Sequence, residues 1–214
     1  MHRALYCTVE DTLAEIESRN RDGIEQGKVC NVARAHALPL PIDGMVLLLT
    51  ALGHDRFEVL DLGCGVGRVA AYLIDHGKDY TGLDFARGYL DEARASNSGV
   101  PFVCASMSAI PFPDESFDGV FTCCSLQYTP KMYVGTVLES VRTVLRSRGV
   151  FVAMLPYIGV SYEEIIERDD GSQLYHSWWD TSEFEEALDA TGFFVANSWV
   201  AELDGTSYFL AIKR

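Results

Sequence analysis

The stretch VLDLGCGVGR, Val59 to Arg68, places Gly63, Gly65 and Gly67 directly after a short apolar run. An apolar run that ends in closely spaced glycines reads as a strand leaving a sheet through a loop whose backbone turns tightly and lies close to another group. In a doubly wound α/β sheet that loop stands at the crevice where ligands bind, so the pattern points to a nucleotide-like molecule. The spacing narrows the choice. A dinucleotide fingerprint requires G-x-G-x-x-G, and here Arg68 stands where the last glycine would be. No G-K-[ST] follows, which excludes a P-loop. The pattern begins with Asp61, and a carboxylate serves an amino group better than a phosphate, so D-x-G-x-G-x-G suits a ligand with an α-ammonium. Asp84, at the end of the run DYTGLD, adds a second acid. At a strand tip it can accept from both hydroxyls of a ribose, as in adenosine-type ligands, or cap the helix that follows.

Outward from this stretch the chain alternates. FEVLDL, DYTGLD, VPFVCA, FDGVFTC and GVFVAML are apolar or β-rich runs, each followed by a helical or loop pattern, which argues for βαβ units and a parallel sheet. GRVAAYLIDHG carries apolar residues at helical spacing and stops at Gly77, and MYVGTVLESVRTVLRSRG does the same to Gly149. Residues 8–53 read as mainly helical, with Asp43 as a cap for MVLLLTALG. SYEEIIERDDG and TSEFEEALDATG read as acidic amphipathic helices, and Ser182 with Glu185 has capping-box spacing. FFVANSWVAEL and TSYFLAIKR read as two strands joined at Asp204-Gly205. The expected architecture is a single α/β domain: a Rossmann-like seven-stranded sheet, mostly parallel, with a C-terminal antiparallel hairpin and helices on both faces.

Composition bounds the partners. At 214 residues, 48% hydrophobic, the chain is long enough for one buried core and short for two domains. A net charge of −14 weighs against nucleic acid and anionic membranes and favours a small-molecule substrate. No apolar run has the length of a membrane span, and the N-terminus has no signal-peptide pattern, so the expectation is a cytoplasmic protein, monomer or homodimer. The six cysteines include no CxxC pair and are read as reduced thiols, with no metal site expected.

VLDLGCGVGR, GLDFARGYLDEAR, FVCASMSAIPFPDESFDGVFTCCSLQY and VLRSRGVFVAML, in this order, resemble the class I S-adenosylmethionine-dependent methyltransferases, particularly the broad type 11-like group acting on small molecules. The resemblance covers roughly residues 57 to 155. It implies S-adenosyl-L-methionine as cofactor, held by Asp61, Gly63, Cys64, Gly65, Gly67 and Arg68 around the methionine end, Asp84 on the ribose, Phe85, Ser106 and Met107 at the adenine, and Cys123 below the sulfonium. It also implies a division into an N-terminal helical lid (1–56), a cofactor-binding core (57–155), a substrate-covering insert (156–180) and a closing helix and hairpin (181–214). Tyr6, Arg19, Arg21 and Arg34 are candidates to meet the cofactor carboxylate from that lid. Two departures stand out. Ser106 occupies the place of the usual adenine-binding acid, and Ser147-Arg148-Gly149 replaces a Pro-Gly-Gly turn.

Methyl transfer from a sulfonium depends chiefly on placing the acceptor in line, and needs a base only when the acceptor must lose a proton. His176, in LYHSWW, is the candidate base, with a structural hydrogen-bonding role as its alternative. Tyr128 stands where the family often has histidine, either orienting the acceptor or packing. Trp178 and Trp179, with Tyr157, Tyr162 and Tyr175, make the insert aromatic, which suits a flat, apolar or cationic acceptor, or the underside of a lid helix. Two other functions stay open: a protein that binds the cofactor without methylating or uses it for a different reaction, and an NAD-dependent oxidoreductase.

Overall fold

The computed structural model describes residues 15, 18, 40–53, 55–167 and 173–214. Helix α1 spans Ile42–Leu52 and leads into β1, Glu58–Leu62. Then follow α2 (Ala70–Asp75), β2 (Asp79–Asp84), α3 (Arg87–Ser96), β3 (Phe102–Cys104) and β4 (Phe117–Cys123). A 3₁₀ turn at Leu126–Tyr128 precedes α4 (Lys131–Val144) and β5 (Leu145–Pro156). The last elements are β6 (Tyr162–Glu167), β7 (Gln173–Trp178), α5 (Thr181–Ala190), β8 (Phe193–Ala201) and β9 (Thr206–Lys213).

Seven strands form one sheet in the order β3-β2-β1-β4-β5-β9-β8. The first five are parallel, and β9 pairs antiparallel with both β5 and β8. β1 and β4 are neighbours although two strands intervene between them in the chain, so the order reverses there and a crevice opens at their carboxyl ends. Side chains alternate across the sheet and meet helices on both sides. Val59, Tyr80 and Phe121 pack with α1, α2 and α3. Leu60, Leu62 and Phe151 pack with α4 and α5. α4 earns its place through Val134, Val137, Leu138, Val141 and Val144, all buried at helical spacing.

Several local expectations are corrected. SYEEIIERDDG is a strand over Tyr162–Glu167, and LYHSWW continues a partner strand, so the insert is a two-stranded sheet rather than a lid helix. Its period is two. Glu163, Tyr175 and Ser177 fall on one face, Tyr162, Glu164, His176 and Trp178 on the other, because residues directly opposite in an antiparallel pair share a face. Cross-strand partners outweigh the helical propensity of glutamate.

α4 stops at Val144, and 145–149 already belong to β5. Asp43 lies inside the first turn of α1, two residues past the Pro41 cap position. At α5 the cap is Asp180, whose carboxylate accepts from Ser182 N at 3.0 Å, while Glu185 accepts from Ser198 instead of closing a capping box. The β8–β9 connection runs over 202–205, so Asp204-Gly205 ends a longer turn.

Gly77 does stop α2, with a left-handed φ of 76° and its N–H on Ile74 O at 2.9 Å. The lid residues Tyr6, Arg19, Arg21 and Arg34 lie outside the described residues. No described helix is long and apolar enough to cross a membrane.

Candidate active site

The three glycines of the loop after β1 all adopt left-handed φ, at 76°, 54° and 71°, and each does so for a different neighbour. A Cβ on Gly63 would stand 2.3 Å from Ser125 Oγ and 2.4 Å from Ser125 Cβ. One on Gly67 would stand 2.9 Å from the Phe102 ring and 3.0 Å from Asn97 Nδ2. One on Gly65 would meet nothing within 4 Å. The first and last glycines therefore admit protein, and the middle one faces open space.

That space is a cleft at the switch point of the sheet. Its walls come from the glycine loop (Gly63, Cys64, Gly65, Arg68), from the end of β2 (Asp84, Phe85), from Tyr89, Ala105 and Met107, and from Cys123 to Ser125. Tyr128 and Leu174 close the far side.

Asp84 is buried, and its two oxygens accept from Gly65 N at 2.9 Å and Ala86 N at 2.8 Å. Burial raises its pKa, and those backbone donors work in the opposite direction. The carboxylate thus locks the glycine loop to the start of α3 while lining the cleft. Capping and ligand binding are not alternatives here, since each oxygen has a second lone pair.

Asp61 is buried beneath the loop and accepts from Tyr80 Oη at 2.7 Å. Burial pushes its pKa up to about 7, and the Asp84 charge adds to this. Two desolvated carboxyls side by side make the floor of the cleft a favourable place for a cation.

Ser125 ties the two halves of the site together. Its hydroxyl donates to Gly63 O at 2.9 Å, with Cys123 O at 3.2 Å. Gly63 N and Cys64 N both donate to Leu83 O, so the loop is stitched over the end of β2 as well.

Cys64, Cys104, Cys123 and Cys124 are free thiols; Cys7 and Cys30 lie outside the described residues. Cys123 and Cys124 are hydrogen-bonded to each other, which raises the first and lowers the second. Among the described residues no cluster of His, Cys, Asp or Glu is placed to hold a metal ion.

Of the residues singled out in the sequence, Gly63, Cys64, Gly65, Arg68, Asp84, Phe85, Met107, Cys123 and Tyr128 line the cleft. Asp61 and Gly67 support it from below and behind. Ser106 does not line it: its hydroxyl is engaged by Ser108 Oγ at 2.7 Å and by Ser108 N at 3.1 Å. His176 is buried behind Tyr128, ring edge to face with centroids 5.7 Å apart. Burial lowers its pKa to about 4, against a weaker opposing pull from Glu164, and its Nδ1 has no partner. The imidazole is thus neutral at physiological pH.

Sequence reasoning missed Ser125, Tyr89 and Leu174. Only Ser125 had a signal, since a glycine that must admit a close neighbour implies that such a neighbour exists.

Residues 60–153 match the family model described as "Methyltransferase domain". A malonyl-[acyl-carrier protein] O-methyltransferase from Pseudescherichia vulneris is 34% identical over 104 residues, 48% of this chain and 41% of the relative. A demethylmenaquinone methyltransferase from Beutenbergia cavernae is 40% identical over 73 residues, 34% of this chain and 30% of the relative. Both matches span less than half of the relative's length. Among solved structures, the Burkholderia thailandensis 1,6-didemethyltoxoflavin-N1-methyltransferase, bound to 1,6-didemethyltoxoflavin and S-adenosylhomocysteine, superposes with a TM-score of 0.80 at 20% identity. That likeness covers 98% of this chain and 93% of the other, and is one of fold.

Proposed function

We propose, from the match of residues 60–153 to the methyltransferase domain family, that the protein transfers a methyl group from S-adenosylmethionine to a small-molecule acceptor. The observation that carries the reading is the juxtaposition of Gly65, open to the cleft, with the buried Asp84 carboxylate beside it. The residues fit the cofactor. Asp84 has lone pairs for the ribose hydroxyls, Phe85 and Met107 offer apolar surface to an adenine, and Asp61 and Asp84 favour the positive charges of a sulfonium and an α-ammonium. Arg68, which lines the cleft, would meet the carboxylate of the cofactor's methionine end. Ser106, engaged with Ser108, leaves adenine selection to shape and backbone.

When bound, the cofactor supplies a methyl group on a sulfonium, a good leaving group. The protein's part is to position the acceptor, to exclude water and to receive a proton where the acceptor bears one. Tyr128 stands at the acceptor end of the cleft, on the turn after β4, and orients the acceptor. His176, neutral and behind it, is the candidate proton acceptor of the site.

The relatives act on different acceptors, and their names leave the acceptor of this chain open. A dinucleotide oxidoreductase is disfavoured by Arg68 at the third glycine position, where its side chain lines the cleft. The test is a thermal-shift titration with S-adenosylmethionine, S-adenosylhomocysteine and NAD, since a ligand of the native state stabilises it. Stabilisation by the first two alone is expected; stabilisation by NAD alone would end the proposal.

A further inference from the structure

Beyond the cofactor cleft, the β6–β7 hairpin presents a continuous run of rings. Tyr128, on the cleft wall, meets His176 edge to face. His176 lies against Trp178 with centroids 4.2 Å apart and planes at 35°. Trp178 stacks with Tyr162 at 6.3 Å and 27°, and Tyr162 is 41% exposed. Leu174, two residues before His176 on the same face of β7, lines the cleft, so this ladder begins at the acceptor end and runs outward to solvent.

Its carboxylate is held by its own rings. Glu164, directly opposite His176, accepts from Trp178 Nε1 at 2.8 Å and from Tyr162 Oη at 3.3 Å. The buried Nδ1 of His176 has no partner. Lys131, the cation packed on the hairpin, is on the opposite side, where its N–H donates to Glu163 and its ammonium pairs with Glu183 and lies over Trp179. The ladder therefore offers π-faces, a carboxylate and an imidazole nitrogen. Aromatic faces and carboxylates attract flat rings bearing N–H donors and repel carboxylates and phosphates.

We propose that the acceptor is a planar nitrogen heterocycle, selected by stacking along the Tyr128–His176–Trp178–Tyr162 ladder and by a ring N–H facing Glu164 and His176. This rests on methyl transfer at the adjoining cleft and narrows its acceptor class. Among the described residues no cation stands on this face to meet an anionic acyl thioester.

The experiment uses the full chain saturated with S-adenosylhomocysteine. It is titrated calorimetrically with lumazine, xanthine, 4-hydroxyquinoline and harmane, and separately with malonyl-coenzyme A. At least one heterocycle is expected to bind, and malonyl-coenzyme A is not. Trp178→Leu and Tyr162→Ala are each expected to weaken that heterocycle by about tenfold, the upper range for loss of an aromatic stack. Their affinity for S-adenosylhomocysteine should stay unchanged, which shows that the fold is intact. Glu164→Gln keeps size and hydrogen bonding and should weaken a donor-bearing heterocycle more than a ring without N–H. Binding by malonyl-coenzyme A alone, by none of the heterocycles, or with undiminished affinity in both aromatic variants would overturn the proposal. Failure of S-adenosylhomocysteine itself to bind would count against methyl transfer, a separate result.

Discussion

Alanine at Gly63 and at Gly65 should damage the protein in different ways. Both glycines have left-handed φ, so either substitution carries a backbone cost of roughly 1–2 kcal/mol. At Gly63 the new methyl group would also stand 2.3 Å from Ser125 Oγ, far inside contact distance, and overpacking of this kind costs a further ~1–3 kcal/mol. Gly63→Ala is therefore expected to lose about 2–5 kcal/mol of stability, a fall in Tm of roughly 4–20 °C for a chain of this size. At Gly65 nothing lies within 4 Å, so Gly65→Ala should lose only the backbone share, roughly 2–8 °C. Its methyl group enters the cleft, however, and binding of S-adenosylhomocysteine should fall by at least tenfold. Urea unfolding with calorimetric titration separates the two effects. Ser125→Gly in the Gly63→Ala background removes the clashing atoms and should return part of the loss. Equal destabilisation by the two single substitutions, or full affinity in Gly65→Ala, would refute the assignment of one glycine to Ser125 and the other to the ligand.

Asp84→Ala should weaken S-adenosylhomocysteine by about 1.5–3 kcal/mol, the range for hydrogen bonds to a charged group, as read by calorimetry. Asp61 and His176 should give opposite pH dependences of stability. Asp61 titrates near 7 in the fold, above its unfolded value, so its contribution is full below about pH 4 and disappears as pH rises through 7. His176 titrates near 4, below its unfolded value, so its contribution is full above about pH 6.5 and disappears as pH falls toward 4. Each spans up to about 3–4 kcal/mol and they offset one another between pH 4 and 7. Asp61→Asn should make the protein more acid-labile over this window, and His176→Gln should make stability decline as pH rises through it, both measurable by urea unfolding at several pH values. Asp180→Ala should cost about 1 kcal/mol through loss of the α5 cap, and Ser182→Ala less, as thermal melts would show.

The parallel half of the sheet was legible because its strands are apolar runs bounded by glycines and acids, and burial on both faces leaves little else such runs can be. The glycine loop and Asp84 were legible for the same reason: few residues tolerate left-handed backbone or a buried strand tip. The hairpin was not. YEEIIE fits a helical face almost as well as a strand, and what decides is the partner QLYHSW across the turn, with Glu163 bound to Lys131 N and Tyr175. The Ser182–Glu185 box failed likewise, because Asp180 and Ser198 compete for its groups. Ser106 matched the motif in position, yet its hydroxyl is claimed by a neighbour two residues away. Short-range pattern fixes which face is buried; the destination of a polar side chain depends on what the fold brings beside it.

The β6–β7 ribbon shares no ladder with the seven-stranded sheet. One side is bolted down by Ser177, whose hydroxyl donates to Gln127 O and Thr129 O, and by Glu163, which accepts from the backbone N–H of Lys131. The other side carries Tyr162, Glu164, His176 and Trp178 without supporting the core of the sheet. Holding and choosing are thereby assigned to alternate residues of the same twelve-odd positions. A lineage, or an engineer, can rewrite every second residue of this ribbon and retune what is accepted while the donor's cradle stays as it was.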